Sequence, residues 1–370
     1  VKITDVVARQ LRIQDVKNIF DGTQDVLIVE VQTDAGISGL GEIVSSSYVA
    51  RGIVEAPRSG GGRHGLREIV RGLDPLDTDS VWDAMKEGSS WYGRRGVAIH
   101  AMAGIDVALW DIKAKALGFP TYRALTPSIV EPARIKAYAS VLWGETLDDT
   151  IALAHTLCNE GFHALKFGFG PIGGDLTSDV AMVRAAREAI GEHRNLMVDV
   201  GRGWRREFAA ERCEALAPFG VVWVEEPLHP DDLEGYAQLC ASVDVPIAAA
   251  ETEETVAQFE AFLQAGVKFV QPDLGRVGLT QGMKIAALAK KYGAGCVPHC
   301  FGTGINTAAS IHWMTAVQNE LVEYPMRTNP LCRHLASGLP QLEDGYVRAS
   351  TEPGLGVTLN DSTVREHLYV

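Results

Sequence analysis

Apolar and polar positions in this chain follow two rhythms, and the change between them falls near residue 130. Before it, VKITDVVARQLRI alternates apolar and polar residues, the period of a half-buried strand. VLIVEVQTDAGISGLGE reads as strand, turn, strand, with Asp34-Ala35-Gly36 at the turn. NIFDGTQ between them is a polar loop able to serve as a lid. SSSYVARGIVEAPRSGGG, residues 45–62, is a second lid segment or a plain linker. Residues 63–120 carry the helical period. It is strongest in VAIHAMAGIDVALWDIKAKALG, where apolar residues recur at i, i+3, i+4 and i+7 until Gly118 and Pro120 stop it.

From about 134, short apolar runs alternate with helical stretches, the sequence form of a parallel α/β fold. Strands are expected at 135–142, 163–167, 195–199, 221–225, 247–251, 268–273, 295–299 and 321–324. Helices are expected at 146–161, 177–191, 206–217, 231–242, 254–265, 279–292 and 304–318. Eight strands and seven helices describe a modified TIM barrel, (β/α)7β. LEDGYVRASTEPGLGVTLN then reads as a hairpin-like strand pair that returns to the first unit. The expected domains are an α+β unit at 1–125, the barrel at 126–335 and the return at 336–370.

The ends of the barrel strands carry the chemistry. Asp199 in LMVDVG, Glu225 in VVWVEEP and Glu251 in PIAAAE close three consecutive strands at equal steps of 26 residues (225 − 199 and 251 − 225). Such a step is about one strand-plus-helix repeat. Three acids aimed at one point repel unless a cation lies between them. Oxygen-only ligation suits a hard ion such as Mg2+. Three solvated acids at loop starts is the plain alternative, and their regular spacing counts against it. The remaining strand ends give Lys166, Asp273, His299 and Glu323. Barrel enzymes place their sites at these C-terminal ends. Asp273 beside His299 would fix the imidazole tautomer and make His299 a general base. Lys166 would neutralise a substrate carboxylate or act as acid or base. Glu323, if protonated, would hydrogen-bond a developing oxyanion.

Composition narrows the partners. A net charge of −13 and a pI near 5.3 argue against nucleic acid. No continuous apolar run approaches membrane-spanning length and no signal-peptide core is evident, so no membrane and a cytoplasmic location are expected. The six cysteines form no CxxC pair. Cys296 and Cys300 flank His299 without further zinc ligands, so free thiols are expected.

Taken together, these motifs resemble the enolase superfamily, and within it the mandelate racemase subgroup. AGIDVALWDIKAKALGFP is similar to the family's first signature, on a helix of a capping domain. LMVDVG, VVWVEEP and PIAAAE are similar to its Mg2+-ligand strands, QPDLGRVG and VPHCFGTG to its Asp–His dyad, and LVEYP to its eighth-strand glutamate. The C-terminal PGLGVTL resembles the return to the capping domain. The resemblance implies one Mg2+ held by Asp199, Glu225 and Glu251. It also implies abstraction of the proton α to a carboxylate, giving an enediolate.

Two positions depart from the subgroup pattern. Its usual Lys-x-Lys at the second strand is here Lys166-Phe167-Gly168, and the Asn often found two residues after the first metal ligand is Gly201. With His299 on one face and glycine opposite, racemisation lacks a partner, whereas dehydration can use one base. The expectation is therefore dehydration of a sugar acid, an aldonate or aldarate, to a 2-keto-3-deoxy acid. Racemisation, epimerisation, lactone cycloisomerisation and a metal-binding homologue with reduced catalysis are the alternatives. A metal-dependent hydrolase barrel would need histidine ligands. A small-molecule carboxylate substrate and a homo-oligomer are expected, with Phe20, Tyr48, Arg51 and Arg202 as substrate-binding candidates.

Overall fold

The computed structural model describes residues 1–16 and 22–369. Three antiparallel strands, Ile3–Arg12, Asp25–Thr33 and Ser38–Ile43, form a sheet in chain order. One face lies on the helix Val97–Leu117. Backbone meets backbone there. A Cβ on Gly41 would stand 1.9 Å from the carbonyl oxygen of Gly104, and one on Gly39 2.0 Å from that of Ala108. The third strand therefore sits closer to the helix than any side chain permits, and its position is fixed. The helix is buried on most of its circumference because its other side packs on the barrel helix Leu274–Lys291.

Eight parallel strands follow: Ile135–Leu142, Ala164–Gly168, Asn195–Asp199, Val221–Glu225, Ile247–Ala249, Phe269–Val270, Gly295–Cys296 and Leu321–Pro325. The first seven pair in chain order, and the eighth pairs with the first. The architecture is the modified TIM barrel with an antiparallel cap. The fifth to seventh strands are shorter than expected, so Glu251, Asp273 and His299 fall just beyond them. Asp273 and His299 still form a parallel bridge of their own. Several helices begin at side-chain caps, Thr146, Asp175 and Asp232, each accepting a backbone N–H. The helix expected from 279 begins at Leu274 and turns at Gly278, whose φ of 74° favours glycine. Inside the barrel, Tyr138, Met197, Trp223 and Val297 pack with Ala164 and Ala248 as a floor.

The tail is not one hairpin. Tyr346–Val347 joins the first barrel strand antiparallel, and Ala336–Ser337 pairs with Thr358–Leu359. Its last residues reach the cap, where Tyr369 N–H donates to the Gln10 carbonyl at 2.9 Å. Two buried acids of the long helix fasten these parts. Asp111 accepts from Leu40 N (3.0 Å), Leu355 N (2.8 Å) and Lys115 Nζ (2.7 Å). Asp106 accepts from Thr280 N (2.8 Å) and Thr280 Oγ1 (2.6 Å). The helix signature AGIDVALWDIKAKALG thus works as a joint between cap, barrel and tail. The six cysteines are free thiols. Among the described residues, no helix is long and apolar enough to cross a membrane.

Candidate active site

The C-terminal strand ends open on a cavity of about 150 Å3. Lys166, Asp199, Glu251, His299 and Glu323 line it, together with Gly168, Phe169, Arg276 and Phe301. Gly22 and Val44 of the cap complete the wall. A wider opening of about 580 Å3 lies at the other end of the barrel, around Ile135, Asn195 and Leu321. It holds none of the clustered acid–base groups and is a surface cleft.

Lys166 is the hub of the acidic side. Its Nζ lies 2.5 Å from Glu225 Oε1, 2.8 Å from Glu323 Oε1 and 4.0 Å from Asp199 Oδ2. Burial works against its charge, but Glu225 and Glu323 outweigh that and hold it well above the usual lysine range. Glu225 is pinned at both oxygens, because Trp223 Nε1 donates to its Oε2 at 2.8 Å. Glu323 accepts the Cys300 N–H at 2.6 Å. Burial would raise Glu323, yet the Lys166 ammonium and His299 bring it down to about 2. The Lys166 ammonium beside it favours the anion, and in this arrangement Glu323 is an acceptor and counter-charge rather than the donor expected of a protonated acid.

The dyad forms on the other side. His299 Nδ1 donates to Asp273 Oδ2 at 2.7 Å, which leaves Nε2 facing the site, 3.5 Å from Glu251 Oε2. Asp273 Oδ1 accepts from Gly275 N (2.8 Å) and Asn306 Nδ2 (3.2 Å). Burial pulls the imidazole down in pKa, but Glu251 and Asp273 raise it to about 10.

Equal spacing in sequence does not put the three carboxylates at equal height. Asp199 and Glu225 are partners across the ladder, but Glu225 is opposite Ala248, so Glu251 stands three residues higher (251 − 248). Among the described residues, no three His, Cys, Asp or Glu side chains converge at metal-binding distance, since Glu225 is turned to Lys166 and Trp223. The donors still suit a hard cation. All are carboxylate oxygens, and burial and the charge of Glu225 raise Asp199. Burial and Glu251 push the neighbouring Glu226 up to about 8, and its buried Oε1 has no hydrogen-bond partner. This is a cluster short of positive charge. Asp199, Glu225 and Glu251 fit a divalent ion such as Mg2+.

The candidate substrate contacts fare differently. Phe20 lies outside the described residues. Tyr48 is the second residue of the helix Ser47–Glu55 and turns to Arg12 and Tyr369, away from the cavity lining. Arg51 sits on that helix and pairs with Glu55 at 2.9 Å, because i and i+4 share a helix face. Arg202 reaches Glu226 at 3.8 Å and is not among the lining residues. The arginine that lines the cavity, among the described residues, is Arg276, held by the Glu251 carbonyl at 2.8 Å. Its position three residues after Asp273 in QPDLGRVG was the available signal.

Residues 6–125 match the mandelate racemase/muconate lactonizing enzyme N-terminal domain, and residues 149–363 match the enolase C-terminal domain-like family. The chain belongs to the enolase superfamily, in its mandelate racemase branch. It is 31% identical over 362 residues to the D-galactarolactone cycloisomerase of Agrobacterium fabrum, covering 94% of this chain and 92% of the relative. It is 30% identical to the L-talarate/galactarate dehydratase of Salmonella typhimurium, covering 92% and 82%. The crystal structure of the 3,6-anhydro-D-galactonate cycloisomerase of Zobellia galactanivorans superposes over the whole of both chains with a TM-score of 0.90 at 28% identity. Enolase-superfamily membership implies a divalent metal, generally Mg2+. Both departures from the branch's pattern acquire a physical form here. A Cβ on Gly168 would lie 2.7 Å from Asp199 Oδ2, and one on Gly201 2.7 Å from the Phe169 ring. Phe169, itself at φ 56°, fills the space that a side chain at 201 would take.

Proposed function

We propose that this protein is a sugar-acid dehydratase that converts an aldonate or aldarate to a 2-keto-3-deoxy acid with His299 as its single base. The observation that carries this reading is the one-sided placement of acid–base groups. His299 Nε2 faces the cavity with Asp273 behind it, while Gly168 has no side chain and Lys166 is committed to Glu225 and Glu323. Asp199, Glu225 and Glu251 would hold a divalent cation, which would supply a Lewis acid for the substrate carboxylate and offset the charge of Glu251, one of the groups that raise His299.

The remaining work falls to side chains. Neutral His299 takes the α-proton on Nε2, and the electron pair of the Cα–H bond becomes the enediolate. Asp273 stabilises the imidazolium that results. The same Nε2–H then protonates the departing β-hydroxyl, which leaves as water, and the enol tautomerises to the ketone. The Lys166 ammonium, fixed between two anions, offsets charge on the substrate carboxylate. Phe169, Phe301, Val141 and Leu142 line the cavity and limit water. The cycloisomerase relatives favour a second reading with the same first step, in which the β-leaving group is a ring oxygen.

The test is a panel of aldonates, aldarates and their lactones with Mg2+, read by 2-keto acid release. At least one member should yield product, and His299→Asn should abolish it. Undiminished turnover in that variant would remove His299 as base. Deuterium uptake at the α-carbon without keto acid would move the reading to epimerisation, and opening of a lactone or anhydro ring without loss of water would move it to cycloisomerisation.

A further inference from the structure

Glu42 ends the motif GLGE on the third strand of the cap, and no acid–base step above uses it. It is nonetheless buried, 3% exposed, with a full set of donors. Its two carboxylate oxygens each accept the Thr303 N–H at 3.0 Å. Oε2 also accepts from Thr303 Oγ1 (2.6 Å) and from Asn306 N (3.2 Å). Thr303 is the cap residue of the helix Gly304–Val317 and itself accepts the Ile305 N–H at 3.2 Å, and Asn306 lies in the first turn, whose N–H groups have no intrahelical partner. Glu42 thus caps, from another domain, the helix that follows the His299 strand.

That first turn holds the dyad. Asn306 gives its backbone N–H to Glu42 and its side-chain amide to Asp273 Oδ1 at 3.2 Å, and Asp273 Oδ2 accepts from His299 Nδ1 at 2.7 Å. The strand bearing Glu42 packs backbone to backbone on the long helix at Gly41 and Gly104. Two residues after Glu42, Val44 N–H donates to the Gly275 carbonyl at 3.1 Å, clasping the loop that follows Asp273. Glycine at 302 is needed for the approach, since a Cβ there would stand 2.9 Å from Glu42 Oε1. We infer that Glu42 is a positioning residue of the Asp273–His299 dyad, acting from the capping domain through Asn306.

The role of the dyad as base rests on the proposed function, but the geometry of its hydrogen bond does not, so the test reads that bond without substrate. In protein labelled with 15N-histidine, the His299 Nδ1–H is the resonance lost in His299→Asn. Its exchange with solvent should quicken about tenfold in Asn306→Ala and in Glu42→Ala, the range typical of lost outer supports. The double variant should be no faster than either single one, because both act on one path. Glu42→Gln, which keeps one acceptor oxygen, should lie between wild type and Glu42→Ala. If Glu42→Ala does not fold, Glu42→Gln and Asn306→Ala, singly and combined, decide in the same way. An unchanged exchange rate in a cooperatively folded Glu42 variant overturns the proposal, as does additive acceleration in the double variant. Where an acid from the panel turns over, kcat should fall about tenfold in Asn306→Ala with KM unchanged. A rise in KM alone would overturn the positioning role.

Discussion

The ammonium of Lys166 and the carboxylate of Glu225 meet at 2.5 Å on neighbouring-but-one strands, both buried. The lysine therefore supplies the positive charge that the acidic side of the cavity needs. Replacing it leaves Glu225, Glu323 and Asp199 facing one another without compensation. Lys166→Met should lower the stability of the metal-free protein by roughly 3–5 kcal/mol, the usual cost of an orphaned buried ion partner. Adding Glu225→Gln in the same chain should recover part of it. Urea unfolding of the three proteins checks this. Equal midpoints for wild type and Lys166→Met would show that the ion cluster is not held together by the lysine.

Gly168 cannot simply be exchanged for a second base. A Cβ there stands 2.7 Å from Asp199 Oδ2 and 3.1 Å from Asp199 Cβ, so even alanine must move the first carboxylate of the ladder. Gly168→Lys should show no racemisation of any acid that the wild type uses. Gly168→Ala should bind Mg2+ about tenfold more weakly by calorimetric titration, a loss typical of a disturbed metal shell. Unaltered affinity in Gly168→Ala would mean that Asp199 yields without cost.

Much of this was legible in the sequence because strand and helix periods survive packing. The barrel, the cap and the strand-end residues from Lys166 to Glu323 all follow from where apolar runs stop. What sequence spacing could not carry is height. Steps of 26 residues suggest a level ladder, but the fifth strand ends at Ala249 and Ala250 turns at φ 83°, so Glu251 rides above Glu225. Nor could it carry partners chosen by tertiary contact. Tyr48 and Arg51 looked like mobile lid residues in a Ser-rich stretch, yet they stand on a helix whose neighbours occupy them. Glu42 and Arg276 were in view within GLGE and QPDLGRVG. Their roles depend on contacts to residues 261 and 232 positions away (303 − 42 and 276 − 44), which no local pattern encodes.

Trp223 has a task beyond filling the barrel floor. Its Nε1–H is the donor to Glu225 Oε2 at 2.8 Å, and both groups are fully buried. Trp223→Phe keeps most of the packing against Tyr138 and Phe269 but leaves that oxygen without a donor. The cost should be about 1–3 kcal/mol of stability in the metal-free protein. A titration of the variant with Mg2+ should give an affinity shifted by about tenfold, since the carboxylate has lost the support that sets its orientation. A variant that matches the wild type in both stability and affinity would reduce the indole to a packing group.

The joint between cap and barrel should weaken as pH rises. Burial raises Asp106 to about 7, the charge of Asp79 adds to the rise, and the hydrogen bonds from Thr280 oppose it. Its folded pKa lies above the ordinary value of 3.8, so the fold favours the neutral acid. The stabilising contribution is complete below about pH 4 and is lost as pH climbs through about 7. Asp106→Asn keeps an acceptor for the Thr280 N–H and has no proton to lose. The urea midpoint of wild type should therefore fall relative to that of Asp106→Asn between about pH 4 and pH 7, and the difference should level off above that window. Comparing the two proteins removes the other titrating groups, which they share. A difference that stays constant across the window, or that moves in favour of wild type, would mean that Thr280 holds Asp106 as the anion and that the joint is insensitive to pH.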